Sequence, residues 1–135
     1  MYLKIVDFGL VVLIWVVQLV VYPGFYYYEK EALVKWHTRY TRNISLVVMP
    51  LMIGQLALHS YWLLKDFNFF RLWIFMMILA AWVVTFLFAV PLHGNISKNK
   101  ALAGTVESLV KINWIRTILW TLVFVVNFLT HQESP

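Results

Sequence analysis

The sequence predicts an all-α integral membrane protein, an up-and-down bundle of four membrane-spanning helices that forms one domain over residues 1–135. Three observations lead to this prediction. Apolar residues make up 62% of the 135-residue chain, and charged residues only 13%, about half the usual share in a soluble domain. The apolar residues also fall into four long runs. A soluble protein this small could not bury so much apolar surface, so lipid is expected to cover it.

Each run has roughly 17 to 21 residues, which lets a helix cross the hydrocarbon of a bilayer. The predicted spans are 5–22, 44–64, 72–92 and 114–130. The helix of the second span is expected to begin earlier, near Glu29, and Pro23-Gly24 is expected to end the first helix. The short polar segment 65–68 predicts a tight turn that makes the second and third spans antiparallel neighbours.

Basic residues predict the orientation of the spans. The two longer connections carry eight lysines and arginines, and the opposite side carries three. Because basic residues stay on the cytoplasmic side, both termini are expected outside, in a bacterial inner membrane. The net charge of +5 then reflects topology and anionic headgroups, so the lipid bilayer and not nucleic acid is the expected partner. The two sets are Lys30, Lys35, Arg39, Arg42, Lys98, Lys100, Lys111 and Arg116, against Lys4, Lys65 and Arg71.

The sequence lacks the residues that several classes of enzyme chemistry need. The chain has no cysteine, which removes disulfides, thiolate metal sites and thiol nucleophiles. It also has no P-loop, no GxSxG motif and no dinucleotide-binding fingerprint. ATP-driven and serine-hydrolase reactions are therefore not expected.

Polar side chains form a stripe along the second predicted helix. At about 100° per residue, His37, Tyr40 and Thr41 share one face, and Gln55 continues it. Hydrocarbon penalises unpaired polar groups, so the stripe is expected to face the bundle interior. His59 is close to the same face but belongs to the opposite end of the membrane, where it is expected at the surface.

The fourth predicted helix repeats this pattern. The first span ends at Tyr22, and the third ends at His93 and Asn95, near the same membrane face. Four helices are thus expected to surround one pocket with histidines, an arginine, amides and phenols. The residues that fall within about 60° of one line on the fourth helix are Asn113, Arg116, Thr117, Trp120, Phe124 and Asn127.

The candidate catalytic residues are His37, His93, Arg116 and Asn113. A histidine beside phenols suits general-base chemistry on a small hydrophobic substrate with an acidic aromatic group. Arg116 would hold the developing enolate or a carboxylate, and Asn113 would orient it. The candidate substrate-binding residues are Tyr22, Tyr40, Thr41, Gln55, Asn95, Thr117 and Trp120.

Two other hypotheses stay open. His37 and His93 lie at similar depth, so they could ligate a metal or the iron of a haem, although no tight ligand motif such as HExxH is present. Alternatively, the chain is a non-enzymatic accessory protein, in which Arg116 reaches lipid phosphates and Gln55 and Asn127 join helices. A homo-oligomer is also left open, because one small bundle offers limited interior volume.

Two segments resemble the anthrone-oxygenase-like membrane proteins, a family long catalogued as a domain of unknown function. Residues 90–96 (VPLHGNI) are similar to the VPLN sequence that ends the third span in that family. Residues 113–117 (NWIRT) are similar to the N-x-x-R-T sequence that begins its fourth span. His93 replaces the usual asparagine, and Leu109 replaces a tryptophan usually found four residues before Asn113.

This resemblance implies a four-span fold and, for members of polyketide pathways, oxidation of an anthrone to an anthraquinone without a classical cofactor. By position it implies that Pro91, His93, Asn95, Asn113, Arg116 and Thr117 line the site. A looser likeness joins the chain to small haem-associated four-span proteins of porphyrin synthesis, and implies haem at His37 and His93. The cofactor expectation is therefore none, or a haem or metal in the alternative hypothesis.

Overall fold

Four long helices run through residues 1–100 and 102–130, the part of the chain that this computed structural model describes. The helices are α1 (Tyr2–Tyr27), α2 (Lys30–Lys65), α3 (Phe69–Ser97) and α4 (Leu102–Thr130). No residue in the described ranges forms a strand. All four helices are long and apolar enough to cross a membrane, which confirms the predicted fold class.

The helices pack in chain order as a closed ring. α1 contacts α2 and α4, and α3 contacts the same two helices. Only a few residues connect one helix to the next, so neighbouring helices run in opposite directions. Each backbone is bonded within its own helix, as a lipid environment requires. The result is an up-and-down bundle with one interior.

Apolar side chains fill this interior at three levels. One level has Leu10, Met52 and Trp120 at its centre, and the next has Ile78 and Val123. The third level, near the connections α1–α2 and α3–α4, contains Phe25, Leu33 and Leu109. Large apolar side chains also cover the outside of the bundle, as at Leu46 and Leu87. An exterior this apolar is typical of a surface that contacts lipid.

The predicted tight turn between α2 and α3 is present at residues 66–68. Asn68 caps α3, because its side-chain oxygen accepts a hydrogen bond from the Arg71 backbone N–H at 2.9 Å. The Arg71 guanidinium pairs with the Asp66 carboxylate across the turn. These contacts fix the end of the bundle opposite the α1–α2 and α3–α4 connections, which are short because the helices extend through most of the two longer connections predicted from the sequence.

The prediction that Pro23-Gly24 ends the first helix is wrong, since α1 continues to Tyr27. A wide π-type turn precedes this proline, and in it the Tyr22 N–H donates to the Val17 carbonyl. The same device precedes the proline of α3, where the Val90 N–H donates to the Thr85 carbonyl. Proline lacks an N–H and its ring crowds the preceding turn. The wider turns accommodate this, and they lie directly before Tyr22 and the segment of His93.

Candidate functional site

A cavity of about 200 Å³ lies among the four helices, nearer to the end that holds the α1–α2 and α3–α4 connections. An engineered apolar cavity of about 150 Å³ in another protein binds benzene. The space therefore admits about one aromatic ring. Most of the wall is apolar, and the residues that bring polar atoms to it are Tyr22, Tyr40, Thr41, Ser45, Thr85, His93, Arg116 and Trp120.

Four side chains from three helices form a hydrogen-bonded chain beside this cavity, here called the histidine chain. The Tyr22 hydroxyl lies 2.9 Å from Nε2 of His93. Nδ1 of His93 lies 2.7 Å from Nε2 of His37, and Nδ1 of His37 lies 3.2 Å from Oγ of Ser97. Tyr22 and His93 line the cavity, whereas His37 is fully buried behind His93. All four imidazole nitrogens therefore have a protein partner.

Aromatic packing holds the two imidazoles in this arrangement. The rings of His37 and His93 meet edge to edge, with centroids 4.9 Å apart and planes inclined by 26°, as the hydrogen bond between their nitrogens requires. Phe25 meets His37 edge to face at a centroid distance of 5.6 Å, and it also packs against Tyr22 and Tyr40. Phe25 can reach these rings because α1 continues past its proline. The histidine chain is thus packed against the apolar ring of Phe25.

Arg116 enters the cavity from α4 with only 6% of its surface exposed. Its Nη1 donates a hydrogen bond to Oδ1 of Asn113 at 3.2 Å, and Nδ2 of Asn113 donates to Oε1 of Gln18 at 2.9 Å. The guanidinium carbon lies 5.0 Å from the ring centroid of Trp120, a cation–π contact. No carboxylate of the described residues forms an ion pair with Arg116.

Two buried donors at the cavity have no hydrogen-bond partner. They are Nε of Arg116 and the indole Nε1 of Trp120. Buried donors are nearly always paired, because leaving one unpaired costs about 1–3 kcal/mol and more when the group is charged. A positive charge without a counterion, next to a neutral donor, suits a ligand that carries an anionic or carbonyl oxygen.

The cavity opens sideways, between α2 and α3. Ser45 on α2 and both Phe86 and Val90 on α3 line the cavity and are also exposed on the outside of the bundle. Phe86 is 42% exposed and Val90 49% exposed. Since the same side chains belong to the wall and to the exterior, the mouth of the cavity lies on the apolar exterior of the bundle.

The structure gathers most of the predicted site residues. Those that line the cavity are Tyr22, Tyr40, Thr41, His93, Arg116 and Trp120. His37 and Asn113 lie directly behind it, each bonded to a lining residue. Thr117 is also buried behind the wall, where its hydroxyl donates to the Asn113 carbonyl at 2.9 Å. Asn95 and Pro91 do not line the cavity. Asn95 lies in the last turn of α3, where its carbonyl accepts from the Lys100 N–H at 2.9 Å.

The prediction that Gln55 shares this pocket is wrong, because Gln55 belongs to a second polar cluster at the other end of the bundle. This aspartate cluster centres on the buried carboxylate of Asp7 in α1. Gln55 Nε2 and Asn127 Nδ2 each donate to it at 2.7 Å. Nε2 of His59 lies 3.1 Å from both carboxylate oxygens. The cluster therefore joins α1, α2 and α4, and the interhelical role considered for Gln55 and Asn127 is the one observed.

The expectation that His59 is a surface residue is also wrong, since only 6% of its surface is exposed. Its partner Asp7 was visible in the sequence only as an interruption of the first apolar run. The sequence offered a signal, because a carboxylate inside such a run needs a donor at the same depth. Gln18 is likewise a polar residue inside the first apolar run, and its partner at the same depth is Asn113. Ser97 gave no such signal, because a serine at a helix end is common.

The alternative in which His37 and His93 hold a haem or metal does not fit this geometry. Ligation needs an imidazole nitrogen that is free to face the metal, and the four nitrogens are bonded to Tyr22, Ser97 and each other. Among the described residues no group of three or more His, Asp or Glu side chains is placed to hold a metal ion. The donor set instead suits proton transfer.

Comparisons with protein-family models, with curated proteins and with solved structures found no match for this chain.

Proposed function

We propose that this protein is an intramembrane enzyme of the oxygenase-like type, acting on a small hydrophobic aromatic or quinone-like substrate. One observation carries the proposal: the unpaired donors of Arg116 and Trp120 share a cavity with the hydrogen-bonded pair of Tyr22 and His93. One ligand can therefore place a developing negative charge against the donors of Arg116 and Trp120 and lose a proton to the pair of Tyr22 and His93.

The ligand's oxygen is bound by Arg116 and Trp120. The guanidinium is held by Asn113, whose side-chain amide in turn donates to Gln18, so it is already oriented before a ligand arrives, as electrostatic stabilisation of a transition state requires. Its charge favours an enolate or phenolate oxygen over the neutral form. The apolar wall and the volume of about 200 Å³ place the reacting ring inside the cavity, and any further ring extends through the mouth.

Tyr22 and His93 then accept the proton that the substrate loses. In the tautomer with Nδ1–H on His93, the Tyr22 oxygen receives the substrate proton while its own proton passes to Nε2 of His93. The substrate anion, paired with Arg116, gives its electrons to dioxygen. For an anthrone the overall balance is one CH₂ group and one O₂ giving one carbonyl and one water.

The membrane setting follows from the same features. Apolar substrates partition into lipid, and the mouth between α2 and α3 faces that phase. The excess of basic residues at the end that holds the α1–α2 and α3–α4 connections supports an orientation with the histidine chain near the cytoplasmic side of a bacterial inner membrane and both termini outside. A homo-oligomer remains compatible with this arrangement if its contacts leave the α2–α3 side open.

Turnover of anthrone tests the proposal. The purified protein in detergent micelles is mixed with anthrone in air, and anthraquinone formation and oxygen consumption are followed above the uncatalysed background. We expect Arg116→Met to lower the rate by about a hundredfold or more. Arg39→Met is the matched control, since Arg39 is exposed on the outside of α2, and it should keep the native rate. Equal activity of the native protein and Arg116→Met would overturn the assignment.

A further inference from the structure

We infer that the histidine chain is a proton path that connects the cavity to the aqueous edge of the bundle at Ser97. This inference deepens the proposed function and rests on it, because it states where the proton removed from the substrate goes. It also adds His37 and Ser97 as proton carriers, beyond the pair of Tyr22 and His93 that meets the substrate.

The histidine chain leads from the cavity to the end of the bundle. It begins at Tyr22 in the wall of the cavity and passes through His93 and the fully buried His37. It ends at Ser97, the last residue of α3, which is partly exposed and is followed by exposed residues 98–100. Each contact is between 2.7 and 3.2 Å, so no gap interrupts the chain. One end therefore meets the ligand and the other meets water.

Proton balance along this path is simple. A proton arrives at the Tyr22 oxygen and the hydroxyl proton moves to Nε2 of His93. The Nδ1 proton of His93 moves to Nε2 of His37, and the Nδ1 proton of His37 moves to Ser97, whose own proton leaves to water. One proton is displaced, no side chain ends with a new charge, and both imidazoles end in the other tautomer.

Charge repulsion explains why the proton should leave His93. If the proton stayed on His93, an imidazolium would face the Arg116 guanidinium across the same apolar cavity. Two like charges in a medium of low dielectric repel strongly, and neither has a carboxylate partner among the described residues. Passing the proton to Ser97 removes that repulsion and leaves Arg116 paired with the substrate anion alone.

The first test needs no substrate. Protein labelled with ¹⁵N-histidine is examined in micelles, and the ring ¹⁵N shifts report the tautomer of each imidazole. Because the bonds are coupled, Tyr22→Phe is expected to change the tautomer ratio of His37, and Ser97→Ala that of His93. Ser45→Ala is the control, since its hydroxyl lines the cavity but donates to the Thr41 carbonyl of its own helix. Unchanged tautomers in both variants would overturn the path.

The second test follows the proton during reaction. Anthrone is mixed with the protein without oxygen, so that the anion forms and accumulates, and a pH indicator dye in weak buffer records the proton released to the medium. Ser97→Ala should release it at least about tenfold more slowly than the native protein, and Ser97→Thr, which keeps the hydroxyl, should restore the rate. Release from Ser97→Ala at the native rate would contradict the inference. Absence of anion in the native protein would instead contradict the proposed function, while the tautomer test still decides the path.

Discussion

Nε2 of His37 lies 2.7 Å from Nδ1 of His93, and this contact joins α2 to α3 inside the bundle. The contact occupies nitrogens that a metal would need. It also puts His37 behind His93 as seen from the cavity. The two residues therefore have different expected roles: His93 meets the proton of the ligand, and His37 passes it on.

His93→Asn is expected to separate proton transfer from binding. Asparagine can still hydrogen-bond the Tyr22 hydroxyl, but it cannot take up a proton at neutral pH. The rate of anthrone oxidation should fall by about 10²–10⁴-fold. Anthraquinone affinity should change little, because the donors of Arg116 and Trp120 remain. Thr38→Val on the exposed side of α2 serves as the control. A variant that loses affinity and rate in equal proportion would argue against a role in proton transfer.

Val90→Trp is expected to close the mouth of the cavity. Val90 lines the cavity and is exposed to the exterior, so a larger side chain there lies across the entry from lipid. Stopped-flow quenching of tryptophan fluorescence by anthraquinone should show slower association. Leu87→Trp is the matched control, since Leu87 is exposed but does not line the cavity. Equal association rates for the two variants would place the entry elsewhere.

Asp7→Ala is expected to destabilise the bundle without changing the chemistry. The change leaves the donors of Gln55, His59 and Asn127 unpaired in the interior, which should cost about 2–4 kcal/mol. Thermal unfolding in detergent should show a lower midpoint, with a smaller loss for Asp7→Asn. Anthrone turnover per folded molecule should be native, because no residue of the aspartate cluster lines the cavity. A selective loss of activity would link the two clusters instead.

Treatment with a chelator is expected to leave turnover unchanged. The imidazole nitrogens of His37 and His93 are bonded to protein groups, so a metal or haem would have to break the histidine chain to bind. Activity and metal content are measured before and after dialysis against EDTA. Added haem should give no Soret shift that depends on His93. A stoichiometric metal whose removal abolishes turnover would contradict this account.

The sequence was sufficient for the bundle and for most of the candidate site. Hydrocarbon excludes unpaired polar groups, so the stripes containing His37 and Arg116 could be assigned to the interior from helical periodicity alone. Periodicity failed for Gln55, because it assigns a face and gives no partner. Gln55 faces inward as expected, but it lies about 27 Å along the helix from His37 at 1.5 Å per residue, and there it bonds to Asp7 of another helix.

The wide turns before Pro23 and Pro91 could not be predicted from the pattern. Each adds a residue to one turn of helix, which rotates everything after it by about 100° relative to a regular α-helix. The proline signals a break, but whether the chain stops or widens depends on packing with neighbouring helices. Here Phe25 packs among the site rings, which favours continuation of α1.

The unpaired donors of Arg116 and Trp120 are expected to bind an oxygen atom of the ligand. An experimental structure of the protein with bound 9,10-anthraquinone tests this expectation most directly. We predict a carbonyl oxygen of the ligand within hydrogen-bond distance of Nε of Arg116 and Nε1 of Trp120, with the ring beside Tyr22. A ligand bound outside the cavity, with both donors still unpaired, would contradict it.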